Sequence, residues 1–85
     1  MKTALITGVV GQDGSYLAEY LLDLGYEVHG TIRPSTTRND FPVLANVIDK
    51  KEFHLHEVDI TDGELVSRKI QQIKPHEIYN LASQS

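Results

Sequence analysis

Eighty-five residues suffice for one small domain or for part of a larger one, and not for two. A hydrophobic fraction of 40% argues against disorder, and a net charge of −4 leaves no basic footprint for nucleic acid or an anionic membrane. The chain has no cysteine, hence no disulfide or thiolate metal site, and no apolar run long enough to span a bilayer or serve as a signal peptide, so a cytoplasmic protein is expected.

Thr3 to Thr7 is short, apolar and β-compatible, and reads as a buried parallel strand. A glycine loop from Gly8 to Gly14 follows. From about Ser15 to Leu24 the pattern becomes helical, with Leu17 and Leu21, and Ala18 and Leu22, each four apart. Gly25 supplies the stop at the C′ position. Glu27 to Ile32 is a second strand, ended by Pro34, with polar loop from Arg33 to Asp40. Asp40 to Ile48 has the spacing of a short helix, with Pro42 in its first turn. Phe53 to Val58 is a third strand. Thr61 and Glu64 have capping-box spacing ahead of the apolar stripe Leu65, Val66, Ile70 and Ile73, and Lys74-Pro75 closes that helix. Glu77 to Leu81 is a fourth strand.

This β-α-β-α-β-α-β order predicts an α/β fold, a Rossmann-type doubly wound parallel sheet with right-handed crossovers and strand order 3-2-1-4. Residues 1–85 are expected to be the N-terminal portion of a dinucleotide-binding domain, because such domains carry more strands than four. The rest of that domain and a substrate domain are expected outside them.

Gly8, Gly11 and Gly14 give G-x-x-G-x-x-G between a strand and a helix. The first glycine permits the turn out of the strand, the second lets backbone approach a pyrophosphate, and the third lets the helix pack against the sheet. The helix N-terminus offers free N–H groups to the phosphates. A phosphate-transfer P-loop is disfavoured, since no Gly-Lys-Ser/Thr follows. NAD-binding versions place a carboxylate at the end of the second strand for the ribose 2′-hydroxyl. Thr31-Ile32-Arg33 stands there instead. The guanidinium fork of Arg33 suits a 2′-phosphate, with Arg38 in the same loop, so NADP is the expected cofactor. Asp59 follows the third strand at the edge where ligands bind in such sheets. It has two readings, a hydrogen bond to the adenine amino group or a cap for the next helix. Small residues from Leu81 to Ser85 follow the fourth strand at the same edge.

Other constellations carry less. His54 and His56 share a strand face, but as a metal pair they lack a nearby third ligand and any cysteine, so no metal site is expected. Ser83 and Ser85 have no nucleophile elbow around them. No tyrosine is followed four residues later by lysine, so the proton-transfer pair of short-chain dehydrogenases is missing from these residues.

Thr7-Gly8-Val9-Val10-Gly11-Gln12-Asp13-Gly14-Ser15-Tyr16-Leu17 resembles the extended short-chain dehydrogenase/reductase superfamily and, within it, the GDP-mannose 4,6-dehydratase family. Gly25 to Gly30, Phe53 to His56, Asp59, and Glu77 to Ser85 are similar to that family too. The resemblance implies NADP held by Gly8, Val9, Val10, Gly11, Gln12, Asp13 and Gly14, by Arg33, by Asp59 and Ile60, and by Leu81, Ala82, Ser83, Gln84 and Ser85. It implies a lyase that oxidises GDP-mannose at C4, eliminates water across C5 and C6, and returns the hydride to C6. It also implies a homo-oligomer, with the family's Ser/Thr, Tyr, Lys and Glu catalytic residues beyond Ser85. Pro34 departs from the family, which places a second arginine there, and the loop from Pro34 to Asp40 is short for a segment that joins subunits. A different nucleotide-sugar epimerase or reductase of the superfamily, or a non-catalytic dinucleotide sensor, begins in much the same way.

Overall fold

The computed structural model describes residues 1–9, 12–33, 47, 49–59 and 61–81. Among these residues the chain runs β1 (Thr3–Thr7), α1 (Gln12–Asp23), β2 (Glu27–Ile32), β3 (Phe53–Glu57), α2 (Gly63–Ile73) and β4 (Glu77–Asn80). The four strands form one sheet in the order β3-β2-β1-β4. Every pairing is parallel, with Leu5 opposite His29 and Ile78, and His29 opposite His54. The expected fold class and strand order are therefore the observed ones.

The periodicity of two along the strands divides the sheet into unlike faces. Ala4, Ile6, Val28, Ile32 and Phe53 pack with Ala18 and Leu21 of α1, and Val9 joins the same cluster. Tyr16 and Tyr20 stay on the outer side of α1, more than 60% exposed. The opposite face carries Leu5, Glu27, His29, His54 and His56, and Lys69 of α2 reaches His56 there. Right-handed crossovers that run in opposite directions across the sheet, β1 to β2 and β3 to β4, put α1 and α2 on these two faces.

Helix α1 ends as its sequence requires. Gly25 takes φ +91, its amide bonds the carbonyl of Leu22 (3.0 Å), and the Tyr26 amide bonds that of Leu21 (3.0 Å). That pair of bonds is a Schellman motif, and it turns the chain straight into β2. Its start differs from the sequence expectation. The helix opens at Gln12, so Asp13 and Gly14 belong to its first turn rather than to the loop. Apolar periodicity could not reveal this, because the first turn is polar and glycine-containing and the stripe begins only at Leu17.

The capping box at Thr61 and Glu64 is also corrected. Asp62 is the N-cap of α2 and accepts from the Leu65 amide at 3.2 Å. Thr61 is instead turned back onto Asp59, and Glu64 pairs with Arg68 one turn on at 2.8 Å. Lys74, in the left-handed region at φ 51, closes the helix before Pro75. Strands β3 and β4 each stop one residue early, although the Val58 and Leu81 amides still bond the neighbouring strands at Ile32 (2.9 Å) and Thr7 (3.1 Å). The short helix expected over Asp40 to Ile48 lies outside the described residues except for Val47, which is buried in the core. Among the described residues no helix is long and apolar enough to cross a membrane.

Candidate dinucleotide-binding edge

Parallel pairing brings all four strands to a common carboxyl edge, and the candidate residues Gly8, Arg33, Asp59 and Leu81 lie just past their ends. Gly8 leaves β1 at φ 73, a conformation that glycine alone adopts freely. Its amide donates to the Thr31 hydroxyl at 3.2 Å, and the Val9 amide donates to the Thr31 carbonyl at 3.1 Å. Thr31 thus ties the start of the glycine loop to β2, in the place where the sequence reading saw only the absence of a carboxylate.

Two glycines are held by close approach. A Cβ on Gly14 would stand 2.9 Å from the Gly8 carbonyl oxygen and from the Val9 Cα and carbonyl oxygen. All three are backbone atoms that cannot swing aside, so the third glycine of the fingerprint brings the helix onto the loop, where the sequence led to an expectation of packing on the sheet. Gly30 was not singled out from the sequence. A Cβ there would meet the Val9 side chain at 2.7–2.9 Å, so the loop seats a buried valine over a glycine of β2. The alternation of β2 with a glycine at its centre was the available signal.

Arg33 is exposed at the end of β2. Asp59 follows β3 beside it, and its carboxylate accepts from the Thr61 hydroxyl (2.6 Å) and amide (3.0 Å). The bonds from Thr61, with the nearby charge of Arg33 added, hold the Asp59 carboxyl below its usual range. Asp59 does not cap α2, since Asp62 does; the cap reading is corrected, and the carboxylate stays exposed at the edge. On the β4 side, Thr7 donates its hydroxyl to the Asn80 side-chain oxygen at 2.7 Å. Asp13 is exposed in the first turn of α1. Val10, Gly11, Arg38, Ile60, Ala82, Ser83, Gln84 and Ser85 lie outside the described residues, so the pyrophosphate-facing glycine and the segment after β4 have no structural description.

Away from this edge, the sheet sets two further groups beside His54 and His56. His29 of β2 stacks on both, with ring centroids 4.5 and 5.1 Å away, and Glu27 joins them. The sequence places Glu27 and His29 some 25 residues earlier, and only strand register brings them together. Burial, aided by the charge of Lys69, lowers the pKa of His56 to about 4, and burial also lowers that of His29.

A glycine-turned β1–α1 junction at the carboxyl edge of a parallel 3-2-1-4 sheet defines a Rossmann-type α/β protein. A family model described as GDP-mannose 4,6 dehydratase matches residues 5–85, and the chain belongs to that family. It is 51% identical over 88 residues to the GDP-mannose 4,6-dehydratase of Vibrio cholerae, covering 99% of this chain and 24% of that protein. It is 52% identical over 89 residues to GDP-mannose 4,6 dehydratase 2 of Arabidopsis thaliana, again 99% of this chain and 24% of the relative. The chain thus spans about a quarter of these relatives' length. Among solved structures, the Bordetella bronchiseptica enzyme WbmH in complex with NAD+ superposes with a TM-score of 0.80 at 31% identity, covering 100% of this chain and 27% of that one. The UDP-glucose 4-epimerase of Thermus thermophilus in complex with NAD does so with a TM-score of 0.73 at 30% identity, covering 98% and 24%.

Proposed function

We propose that this chain is the N-terminal portion of the NADP-binding domain of a nucleotide-sugar dehydratase that converts GDP-mannose to GDP-4-keto-6-deoxy-mannose. The observation that carries this reading is the convergence of Gly8, Arg33, Asp59 and Leu81 at one sheet edge, beside a helix start drawn in by Gly14. Dinucleotides bind in this crevice of open α/β sheets. The family relatives named for GDP-mannose dehydration support the substrate, and the NAD complexes of the structural relatives support a nicotinamide dinucleotide.

The residues fit such a cofactor. The space a Cβ would fill at Gly14 is taken up by loop backbone, so the amino end of α1 lies close against the loop, and a helix amino end suits the phosphates of a dinucleotide. Asp13 stays exposed in that first turn. Arg33 offers a forked cation to a 2′-phosphate where NAD-binding proteins carry a carboxylate, which favours NADP. Asp59, kept ionised by Thr61, is an acceptor for the adenine amino group. Val9, Val10, Gly11, Gln12, Ile60 and Leu81 to Ser85 complete the proposed cradle. NADP, when bound, supplies a hydride acceptor for C4 of the mannose ring and a donor for C6, so that elimination of water proceeds without net oxidation. The proton-transfer groups for that elimination are assigned outside these residues, and the enzyme is proposed to act as a cytoplasmic homo-oligomer.

Incubation of the full-length protein that carries this segment with GDP-mannose and NADP, followed by mass spectrometry, tests the proposal. Loss of one water from the sugar nucleotide with no accumulation of NADPH is the expected result. A product of unchanged mass would instead mark an epimerase, and binding without turnover a sensor.

A further inference from the structure

The amino-terminal half of β2 and the start of β3 carry a cluster of chemistry that the nucleotide edge does not use. His29 lies four residues before Arg33, about 13 Å along the strand at ~3.3 Å per residue. On the sheet face opposite α1, His54 Nε2 stands 2.9 Å from Glu27 Oε2, and His29 Nε2 stands 4.0 Å from Glu27 Oε1. One ligand atom from each of the three lies within 4.8 Å of the other two.

From this geometry we propose a binding site for a divalent transition-metal ion of the zinc class, with His29 Nε2, His54 Nε2 and one oxygen of Glu27 as ligands. A tetrahedral ion with bonds of about 2.0–2.1 Å sets its ligand atoms about 3.3 Å apart. The observed separations, 2.9 Å from His54 Nε2 to Glu27 Oε2 and 4.0 Å from His29 Nε2 to Glu27 Oε1, lie on either side of that value, so the carboxylate turns to offer one oxygen to the ion and the stacked rings, 21° apart, open toward it. Two imidazoles and a carboxylate are a donor set that zinc accepts with a fourth position open. His54 is 40% and Glu27 37% exposed, so the open position faces solvent for a water ligand.

An independent feature supports the site. A metal-bound histidine ordinarily donates its other ring N–H to a fixed partner. His29 Nδ1 lies 2.9 Å from His56 Nε2, so His56 is in place to accept that bond. In the metal-free chain Lys69 Nζ, 3.4 Å from His56 Nδ1, favours the opposite direction, with His56 donating to His29 and the His29 Nε2–H directed at Glu27. Metal binding reverses both tautomers. The proton shared between His29 and His56 passes to His29 Nδ1, the one leaving His29 Nε2 ends on His56 Nδ1, and Lys69 withdraws from its long contact; His54 likewise gives up the Nε2 proton it directs at Glu27 and takes one from solvent at its Nδ1. The bound ion cross-links adjacent strands β2 and β3.

Tag-free protein titrated with Co²⁺ should develop a saturable tetrahedral visible band at one ion per chain, and Zn²⁺ should displace it and raise Tm. His54→Gln and Glu27→Gln should abolish the band while far-UV circular dichroism is retained. His56→Gln should weaken binding by about 10- to 100-fold, as loss of an outer partner does. His76→Gln should change nothing. In the unmodified protein, ¹⁵N spectra of the imidazoles should show Zn²⁺-dependent shifts at Nε2 of His29 and His54, which keeps the test independent of how the variants fold. Absence of saturable binding, a band that persists in His54→Gln, or shifts at His76 alone would overturn the proposal.

Discussion

Gly30 sits at the centre of a strand, where glycine costs backbone entropy and contributes no packing, yet the side chain of Val9 occupies the space its Cβ would need. Val9 is fully buried and stiff at χ1, so it cannot rotate away. Gly30→Ala should therefore lower stability by roughly 1–3 kcal/mol, the usual cost of overpacking a filled core. Gly63 is its natural control. It opens α2 with nothing within 4 Å of an added Cβ, and Gly63→Ala should be neutral or stabilising by about 0.4–1 kcal/mol. Urea unfolding of both variants checks the pair, and equal destabilisation would mean that contact with Val9 is not the cause. The role proposed for Arg33 concerns the ligand rather than the fold. A charge-assisted bond to phosphate is worth roughly 1.5–3 kcal/mol, so Arg33→Ala should lower the NADP-to-NAD affinity ratio by about ten- to a hundredfold. With Pro34 in place of a second arginine, the lower figure is expected. Calorimetric titration with both cofactors decides it; an unaltered ratio would remove Arg33 as the ground for proposing NADP.

At the scale of elements, the ends of the helices show how far local sequence reaches. Gly25 could be read as a terminator because glycine is the usual left-handed residue past a helix end, and the Schellman bonds follow from that one choice. At the start of α2 the spacing of Thr61 and Glu64 favoured a capping box, and the structure gives the cap to Asp62 instead. The outcome turned on Asp59, whose carboxylate engages both the amide and the hydroxyl of Thr61 and leaves the cap to Asp62. Asp62→Ala should accordingly cost about 0.5–2 kcal/mol, the range for loss of an N-cap. Thr61→Ala should cost less, since only its hydroxyl bond to Asp59 is lost. Thermal unfolding of the two variants orders them, and a larger loss for Thr61→Ala would restore the capping box.

Across the whole molecule, Glu77 joins the start of β4 to the entry of β2. It accepts from Tyr26 at 2.9 Å and from Tyr79 at 2.7 Å. The bond from Tyr79, then that from Tyr26, holds its carboxyl below the usual 4.5. The folded chain thus keeps Glu77 ionised where the unfolded chain takes up a proton. Its stabilising contribution is fully present above pH 4.5 and is lost as pH falls through the lower folded value. The same bonds raise both tyrosines above 10.0, so that contribution is present below pH 10 and lost as pH rises through their folded values. Glu77→Gln should flatten both limbs of the stability profile relative to the parent, measured by denaturant unfolding from pH 3 to 11 in ~1-unit steps. Parallel profiles for the two proteins would assign the acid and alkaline losses to other groups.

The sequence by itself determined the strands, their order and the glycine turn. Each rests on short-range physics: apolar runs of strand length, a helical stripe on Leu17 and Leu21, glycines where φ is positive or backbone is crowded, and right-handed crossovers that leave few topologies. It also put Gly8, Arg33, Asp59 and Leu81 at one edge, because in a parallel sheet the carboxyl ends coincide. Register and depth belonged to the tertiary structure. Only pairing of β2 with β3 could set Glu27 and His29 against His54 and His56, and only packing of the loop could make Gly30 answer to Val9. Such contacts join residues that are far apart along the chain, and a local pattern holds no record of them until the strands are laid side by side.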